Sequence, residues 1–498
     1  MIILTILKYY KMALSFEQKP VDTTDKVPVI TNWTPIIGYM LKQSSIAGYF
    51  YYKLILEIRL GSVTDTIIGK LKQRRNGYSP DIIGNAARAY FDVTDIVNSQ
   101  LVYTIFDQNQ TGAPFGSIHT LGANTGTGAT ADKLLSVSGN NRTDKHQVAK
   151  ITVKGYEQFA TNANQVPGEN SSGAINDTQY YMKASLDLFE PRDTNTDFLQ
   201  GTAFQSFSPT SATSNFLTDI EPNNAGERIN KVTTTSCYHT LAFLNDNANF
   251  DSVCTHLRVT YRDSQDNALS TTIFTNSSGA GGENPNNVTD AVSDNPKRLL
   301  FFGCGPANFL NSSISNLRPT AAANSGWAYY TVQGQNGGSG STFVTNQIKF
   351  VRDDCQRKGY VIRRLGWINS KGGYDYLNFY CKNTRKIDVI RNTFEKPLGY
   401  YSSSKFFYND TQRGKSVRSV EAKMTETLNT DFLSEQDANM LKNLILSPEV
   451  FIIQNQETEY TEAVNVIDTS YTIKTVANDR LIQYTIQIEY ANNINTNS

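Results

Sequence analysis

The sequence predicts a mainly β protein: several β-sandwich-like domains with long loops, followed by an α+β C-terminal domain carrying one clear helix over about 435–446. Three observations predict it. Aromatic residues make up 11% of the chain, with 27 Tyr and 25 Phe, while charged residues are only 18%, and aromatics favour half-buried strands. Asn, Gly, Ser and Thr fill long stretches between the apolar segments, which is the composition of turns and loops. Near the C-terminus, Ile482, Tyr484, Ile486, Ile488 and Tyr490 alternate with Gln483, Thr485, Gln487 and Glu489, the period of a strand with one face in a core.

A chain of 498 residues exceeds one ordinary core and suggests about two to four domains. Residues 1–21 read as an N-terminal arm. Its opening run, Met1 to Leu7, is too short to span a bilayer and lacks the basic start and cleavage site of a signal peptide. Met12 offers a second start, which would leave 1–11 as a gene-calling extension. Residues 22–230 read as an N-terminal β-domain. Tyr51–Leu60 is its strongest strand and Ile67–Leu71 the expected partner. Arg75-Asn-Gly77 carries turn chemistry, and Tyr90–Val97 begins extended and closes as a short helix capped by Thr94. Residues 108–145 read as a long loop insertion, with further polar loops expected at about 160–178, 205–230, 264–297 and 311–343. Residues 231–352 form the middle β-sandwich-like domain, with strands expected at Thr240–Leu244, Leu257–Tyr261, Arg298–Phe302, Tyr329–Val332 and Gln347–Val351.

Residues 353–498 are the clearest domain. Ser434 and Asp437 frame a capping box, in which the Ser434 hydroxyl accepts from the N–H of Asp437 and the Asp437 carboxylate reaches back. Met440, Leu441, Leu444 and Ile445 then share one helical face, and Ser447-Pro448 stops the helix. Gly372-Gly373 predicts a tight bend with positive φ between Trp367 and Tyr374, with Trp367 as a core anchor beside it.

Lys and Arg equal Asp and Glu at 46 each, which argues against a dedicated nucleic-acid surface. Near-zero net charge suits a protein that assembles. The five cysteines, Cys237, Cys254, Cys304, Cys355 and Cys381, are odd in number and scattered, so they read as reduced, mostly buried thiols. No stretch is apolar enough to be transmembrane.

The most specific chemical candidate is Cys237-Tyr-His239 with Cys254-Thr-His256. Residues i and i+2 of a strand share a face, and two such strands paired antiparallel would bring Cys237, His239, Cys254 and His256 into a tetrahedral zinc set. The spacing matches no familiar finger and the chain has four His in all, so two core strands that carry Cys and His is the preferred reading. Gly414-Lys-Ser416 lacks the glycine five residues upstream that a phosphate loop needs, since Asn409 stands there. Gly303-Cys-Gly305 lacks the rest of a dinucleotide fingerprint. The acidic pairs Asp353-Asp354 and Glu457/Glu459 read as solvated surface. His119 and His146 have no partner pattern. Trp33, Trp327 and Trp367 could stack on sugar, with core or interface packing the preferred reading. No cofactor is expected, and nothing points to an enzyme.

Leu365-Gly-Trp-Ile-Asn-Ser-Lys-Gly-Gly-Tyr-Asp-Tyr-Leu-Asn-Phe379 resembles a segment of structural proteins from tailed bacteriophages that infect Bacteroidetes, crAss-like and flavobacterial phages among them. The segments Thr427–Phe451 and Val466–Asn492 strengthen the resemblance, and Tyr51–Leu60, Lys70–Gly77 and Phe91–Val97 look like the start of such proteins. Together they cover about half the chain. The resemblance implies a virion structural protein, of tail or baseplate type, that acts by assembly with copies of itself and other virion proteins and leaves the host cytoplasm by lysis. Two alternatives stay open: a tail-tip receptor-binding protein that recognises host surface glycan, and a depolymerase that hydrolyses it.

Overall fold

The computed structural model describes residues 14–19, 29–30, 38–44, 46, 48–61, 66–73, 87–103, 135–136, 147–184, 215–244, 256–275, 299–310, 314–335, 339–354, 359–409, 411–453, 461–468 and 482–492. The protein is mainly β, built as several packed sheets with few helices. Among the described residues, no helix is long and apolar enough to cross a membrane. The expectations for residues 1–11, Trp33, Arg75–Gly77, His119, His146, Cys254, Cys355 and Glu457/Glu459 lie outside the described residues.

The N-terminal part contains β1 (Leu14–Gln18), β2 (Val29–Ile30), β3 (Gly38–Gln43), β4 (Phe50–Leu60), β5 (Ile67–Lys72), β6 (Ala87–Asp92), α1 (Thr94–Asn98), β7 (Leu135–Ser136), β8 (Val148–Ala160) and β9 (Gly168–Met182). A three-stranded sheet, β1-β3-β6, and a five-stranded sheet, β2-β9-β8-β4-β5, share one core. Tyr39, Leu41 and Phe91 meet Leu54, Leu56, Ile58, Ile151, Val153 and Tyr181 there. As expected, β4 takes β5 as an antiparallel partner, with Ile55 opposite Lys72. The sheets approach closely at Gly155 of β8, where a Cβ would overlap the Leu41 side chain.

Two expectations fail in this region. Thr94 is the first residue of α1 and Val93 stands at the N-cap; the Asp92 carboxylate accepts from the Thr94 N–H at 2.9 Å. The stretch 160–178 is largely strand. Its polar residues are tolerated because 168–170 pair with β8 at the exposed end of the hairpin and 171–174 bulge out of the ladder, where no apolar face is needed.

The middle part contains β10 (Arg228–Val232), β11 (Thr240–Leu244), β12 (His256–Arg262), β13 (Ala268–Thr275), β14 (Leu299–Gly303), α2 (Pro306–Leu310), β15 (Tyr329–Gln335) and β16 (Ile348–Arg352). Its sheets are β10-β16-β15-β12-β13 and β11-β14-β7. They enclose Phe243, Leu257, Tyr261, Trp327, Tyr330 and Phe350. The Tyr330 and Phe350 rings stack at 4.9 Å between centroids. β10 and β13 occupy stretches that read as loops, because their residues are too polar for a two-sided core strand. β10 pairs with β16 through its backbone, and β13 is the sheet's edge. The expected domain boundary at residue 230 falls inside β10, and β7 from within the expected loop 108–145 pairs with β14.

The C-terminal part contains β17 (Arg363–Ile368), β18 (Tyr374–Phe379), β19 (Thr384–Glu395), β20 (Tyr400–Ser402), β21 (Lys405–Phe407), β22 (Lys415–Asn429), α3 (Glu435–Leu446), β23 (Val450–Ile452), β24 (Glu462–Val466) and β25 (Thr485–Tyr490). Seven strands form one sheet, β18-β17-β23-β24-β25-β22-β19. Helix α3 lays Ala438, Met440, Leu441 and Leu444 against Leu365, Trp367, Ile486 and Ile488, the α+β arrangement expected. The Ser434 hydroxyl accepts from the Asp437 N–H at 3.2 Å, so the forward half of the capping box forms; no return bond from the Asp437 carboxylate accompanies it. Ile482, Tyr484, Ile486, Ile488 and Tyr490 are all buried, as their alternation predicts.

Candidate functional site

Two features of the C-terminal sheet stand out: an internal hub that joins the parts of the molecule, and an arm that leaves it. The hub is the turn between β17 and β18. Asn369 organises it through an Asx-type turn. Its Oδ1 accepts from the N–H of Lys371 at 3.0 Å and of Gly373 at 2.9 Å. Its Nδ2 donates to the Leu217 carbonyl at 2.9 Å. Gly372 has φ +79°, and a Cβ there would stand 2.6 Å from Gln147 Nε2 and 2.9 Å from the Lys183 carbonyl oxygen. Gly373 is not left-handed but is equally enclosed, because a Cβ would overlap the Leu217 carbonyl oxygen. The positive φ expected for the Gly-Gly pair therefore belongs to Gly372 alone. Trp367, fully buried, lies beside the turn in the core. Gln147 Nε2 donates to the Gly372 carbonyl at 2.6 Å, which ties the N-terminal sandwich to the same turn.

A strap of residues 215–220 crosses the hub. Phe216 sits in the middle core and Ile220 in the C-terminal core. Between them, Thr218 Oγ1 and the Asp219 N–H donate to the Asp375 carboxylate at 2.5 and 2.8 Å. Asp219 in turn accepts from the Ser370 N–H and hydroxyl, from Lys371 Nζ at 2.6 Å and from Asn443 Nδ2 of α3 at 2.8 Å. Asp375 is fully buried, and burial followed by the Asp219 charge pushes its carboxyl up to about 7, because both causes penalise the anion.

The arm is the ribbon of β19 and β22. β25 pairs with β22 only from Thr425 to Asn429. Beyond that point β19 is the only neighbour of β22, from Ile387 opposite Met424 to Glu395 opposite Lys415, a length of about 30 Å at the usual rise per residue. The β20–β21 hairpin caps the far end. All twelve residues of β19 are exposed. On one face of the ribbon, Ile387, Val389, Val417 and Val420 continue the line that begins with Leu428 and Met424 at the C-terminal core. The apolar face of the sheet thus runs past the body of the domain, and among the described residues no second layer lies over it. Tyr401, 82% exposed, and Tyr400, Phe406, Phe407 and Tyr408 crowd the tip. The root is fixed by Glu426, which is 1% exposed. Its carboxylate accepts from Arg363 Nε at 3.0 Å, Arg385 Nε at 3.3 Å and the Tyr490 hydroxyl at 2.6 Å. A two-stranded ribbon is marginal alone.

Of the candidate zinc set, Cys237, His239 and His256 are placed by the structure, and Cys254 lies outside the described residues. Cys237 and His239 precede β11, whereas His256 opens β12. β11 pairs with β14 and β12 with β13 and β15, so the two strands belong to different sheets. His239 Nδ1 lies 3.0 Å from Arg364 Nη2, and a guanidinium there opposes a second cation. Cys237 Sγ accepts from the Thr233 N–H at 3.3 Å. Among the described residues, no group of three or more His, Cys, Asp or Glu could hold a metal. Arg364 also donates to the Tyr238 carbonyl at 2.9 Å and Asn378 Oδ1 at 2.7 Å, which joins the middle part to the C-terminal sheet. Trp327 and Trp367 are both buried in cores. Asp354 accepts from Thr234 and Arg352, a local clasp.

Sequence reasoning missed the arm. Its signal was the run Ile387, Val389, Ile390, Phe394, apolar enough for a strand and flanked by charges that give no single buried face. No protein-family model matches the chain, and no curated protein matches it.

Proposed function

We propose that this chain is a structural subunit of a tailed-bacteriophage particle, of tail or baseplate type, that works by binding copies of itself and other virion proteins. The observation that carries the reading is the arm, whose uncovered apolar face continues the core of its own domain. Proteins place such surfaces where a partner covers them. The sequence resemblance of residues 365–379 supplies the phage context, and those residues build the hub that keeps the arm's sheet in register with the rest of the molecule. The alternative, recognition of a host glycan, draws support from the exposed Tyr and Phe side chains of the arm tip, which could stack on sugar rings. The depolymerase reading has no such support, since the carboxylates of Asp219 and Asp375 are enclosed by hub donors.

Native mass of the purified protein, by mass photometry with negative-stain microscopy, tests the proposal. Closed rings or discrete high-order oligomers are expected. A clean monomer at all accessible concentrations, with tight binding to purified host glycan, would replace it with the receptor reading.

A further inference from the structure

The arm face needs a partner, and the same chain carries a surface that complements it. Between residues 386 and 424 there are eight Lys or Arg and four Asp or Glu; with 46 of each in the whole chain, the remainder holds 38 basic and 42 acidic residues. The arm is therefore net positive and the body net negative by the same amount. The basic residues gather toward the tip, where Lys405, Arg413 and Lys415 accompany the exposed Tyr401 and Phe406.

The body has a narrow crevice at the seam between the middle and C-terminal parts. Its floor is apolar, with Leu377, Leu433 and Met440, and its charged lining is Asp353, Asp431 and Asp437 against one Lys231. Phe432, half exposed, stands at its rim. Asn230, 4% exposed, also lines the cleft, and its amide nitrogen has no acceptor among the described residues.

We infer that the arm tip of one copy docks in this cleft of a second copy. This inference rests on the assembly reading above and names its partner and receiving surface. Lys405 and Lys415 meet the Asp431 and Asp437 side, and Tyr401 and Phe406 lie over the mouth of the crevice beside Phe432. Docking runs through the tip and the apolar face, not along the edge of β19. That edge carries Lys386, Asp388, Arg391 and Glu395, and charges along an edge discourage strand-to-strand pairing. Tip and cleft are different patches, so the contact is head to tail and gives rings when the rotation closes.

Charge reversal tests the inference on the full-length protein. K405E/K415E changes the arm, and D431K/D437K changes the cleft. Each variant alone should weaken assembly by about tenfold or more, as disrupted charge complementarity does; K405E/K415E should keep the melting temperature of the parent, while D431K/D437K, with a Lys in the first turn of α3, should melt lower and is compared well below its transition with its circular dichroism unchanged. Mixing the two variants should restore assembly, because each reversed patch then meets its complement. If both variants assemble like the parent, or the mixture fails to recover, the docking is wrong while the assembly reading stands. If the parent itself never assembles, the assembly reading falls and takes the docking with it. Binding of a fluorescent oligothymidine by the parent but not by K405E/K415E, without any change in assembly, would instead assign the arm to nucleic acid.

Discussion

The carbonyl oxygen of Leu217 occupies the place where any side chain at Gly373 would begin. That carbonyl cannot retreat freely, because it accepts the Asn369 amide and belongs to the strap that crosses the hub. Gly373→Ala should therefore cost about 1–3 kcal/mol, the usual range for overpacking, and Gly373→Val more. Urea unfolding of purified variants measures it; stability within about 0.5 kcal/mol of the parent would show that the strap moves aside.

Asp375 makes the hub sensitive to pH. Its carboxyl is raised from the ordinary range to about 7, so the folded state holds this proton more tightly than the unfolded state. The resulting stability is fully present below about pH 4, the unfolded value, and is lost as pH rises through about 7. Asp375→Asn stays neutral throughout. Relative to that variant, the parent should lose on the order of a few kcal/mol between pH 4 and pH 8. Paired unfolding curves across this range check it, and a flat difference between the two proteins would refute it.

Glu426 binds two guanidinium groups and a phenol in a buried setting. Glu426→Ala leaves the buried Arg363 uncompensated and should cost about 3–5 kcal/mol. It should also loosen the root of the arm, seen as faster amide hydrogen exchange in β19 and β22. A loss of stability with no change in exchange there would place the cluster's role in the core alone.

Gly155 and Leu41 set the spacing of the two N-terminal sheets. Gly155→Ala should lower the melting temperature, and adding Leu41→Ala should return part of the loss, since the clash is with that side chain. Strictly additive losses in the double variant would mean the clash is relieved elsewhere.

Much of the fold was legible because alternation and aromatic runs report core strands directly. β4, β11, β12, β15 and β25 follow from apolar spacing alone. β9, β10 and β13 did not, since Gly168–Asp177 or Ala268–Thr272 carries the polar residues of a loop and becomes strand by pairing with a neighbour already in place. The hub was half legible. Gly372-Gly373 announced a bend, but nothing local to 369–375 shows that Gln147, Leu217 and Asp219 meet it, because those contacts span more than a hundred residues. The placement of the Cys-x-His pair was hidden for the same reason: Cys237 and His239 precede β11 and His256 opens β12, and the sequence does not show that these strands belong to different sheets.

β7 pairs with β14, and that pairing bears on how the protein is made. Residues 135–136 leave the ribosome well before residues 299–303 are synthesised. Until then β11 can be made, but β14, the strand that pairs with β7, is missing. The nascent chain must carry this segment unpaired through about a third of its translation, and the low local content of such pairings slows closure further. Synthesis and folding are thereby coupled across the first two sheets, and a chain stalled before residue 299 should keep the 135–136 segment open to protease long after its N-terminal sandwich has become resistant.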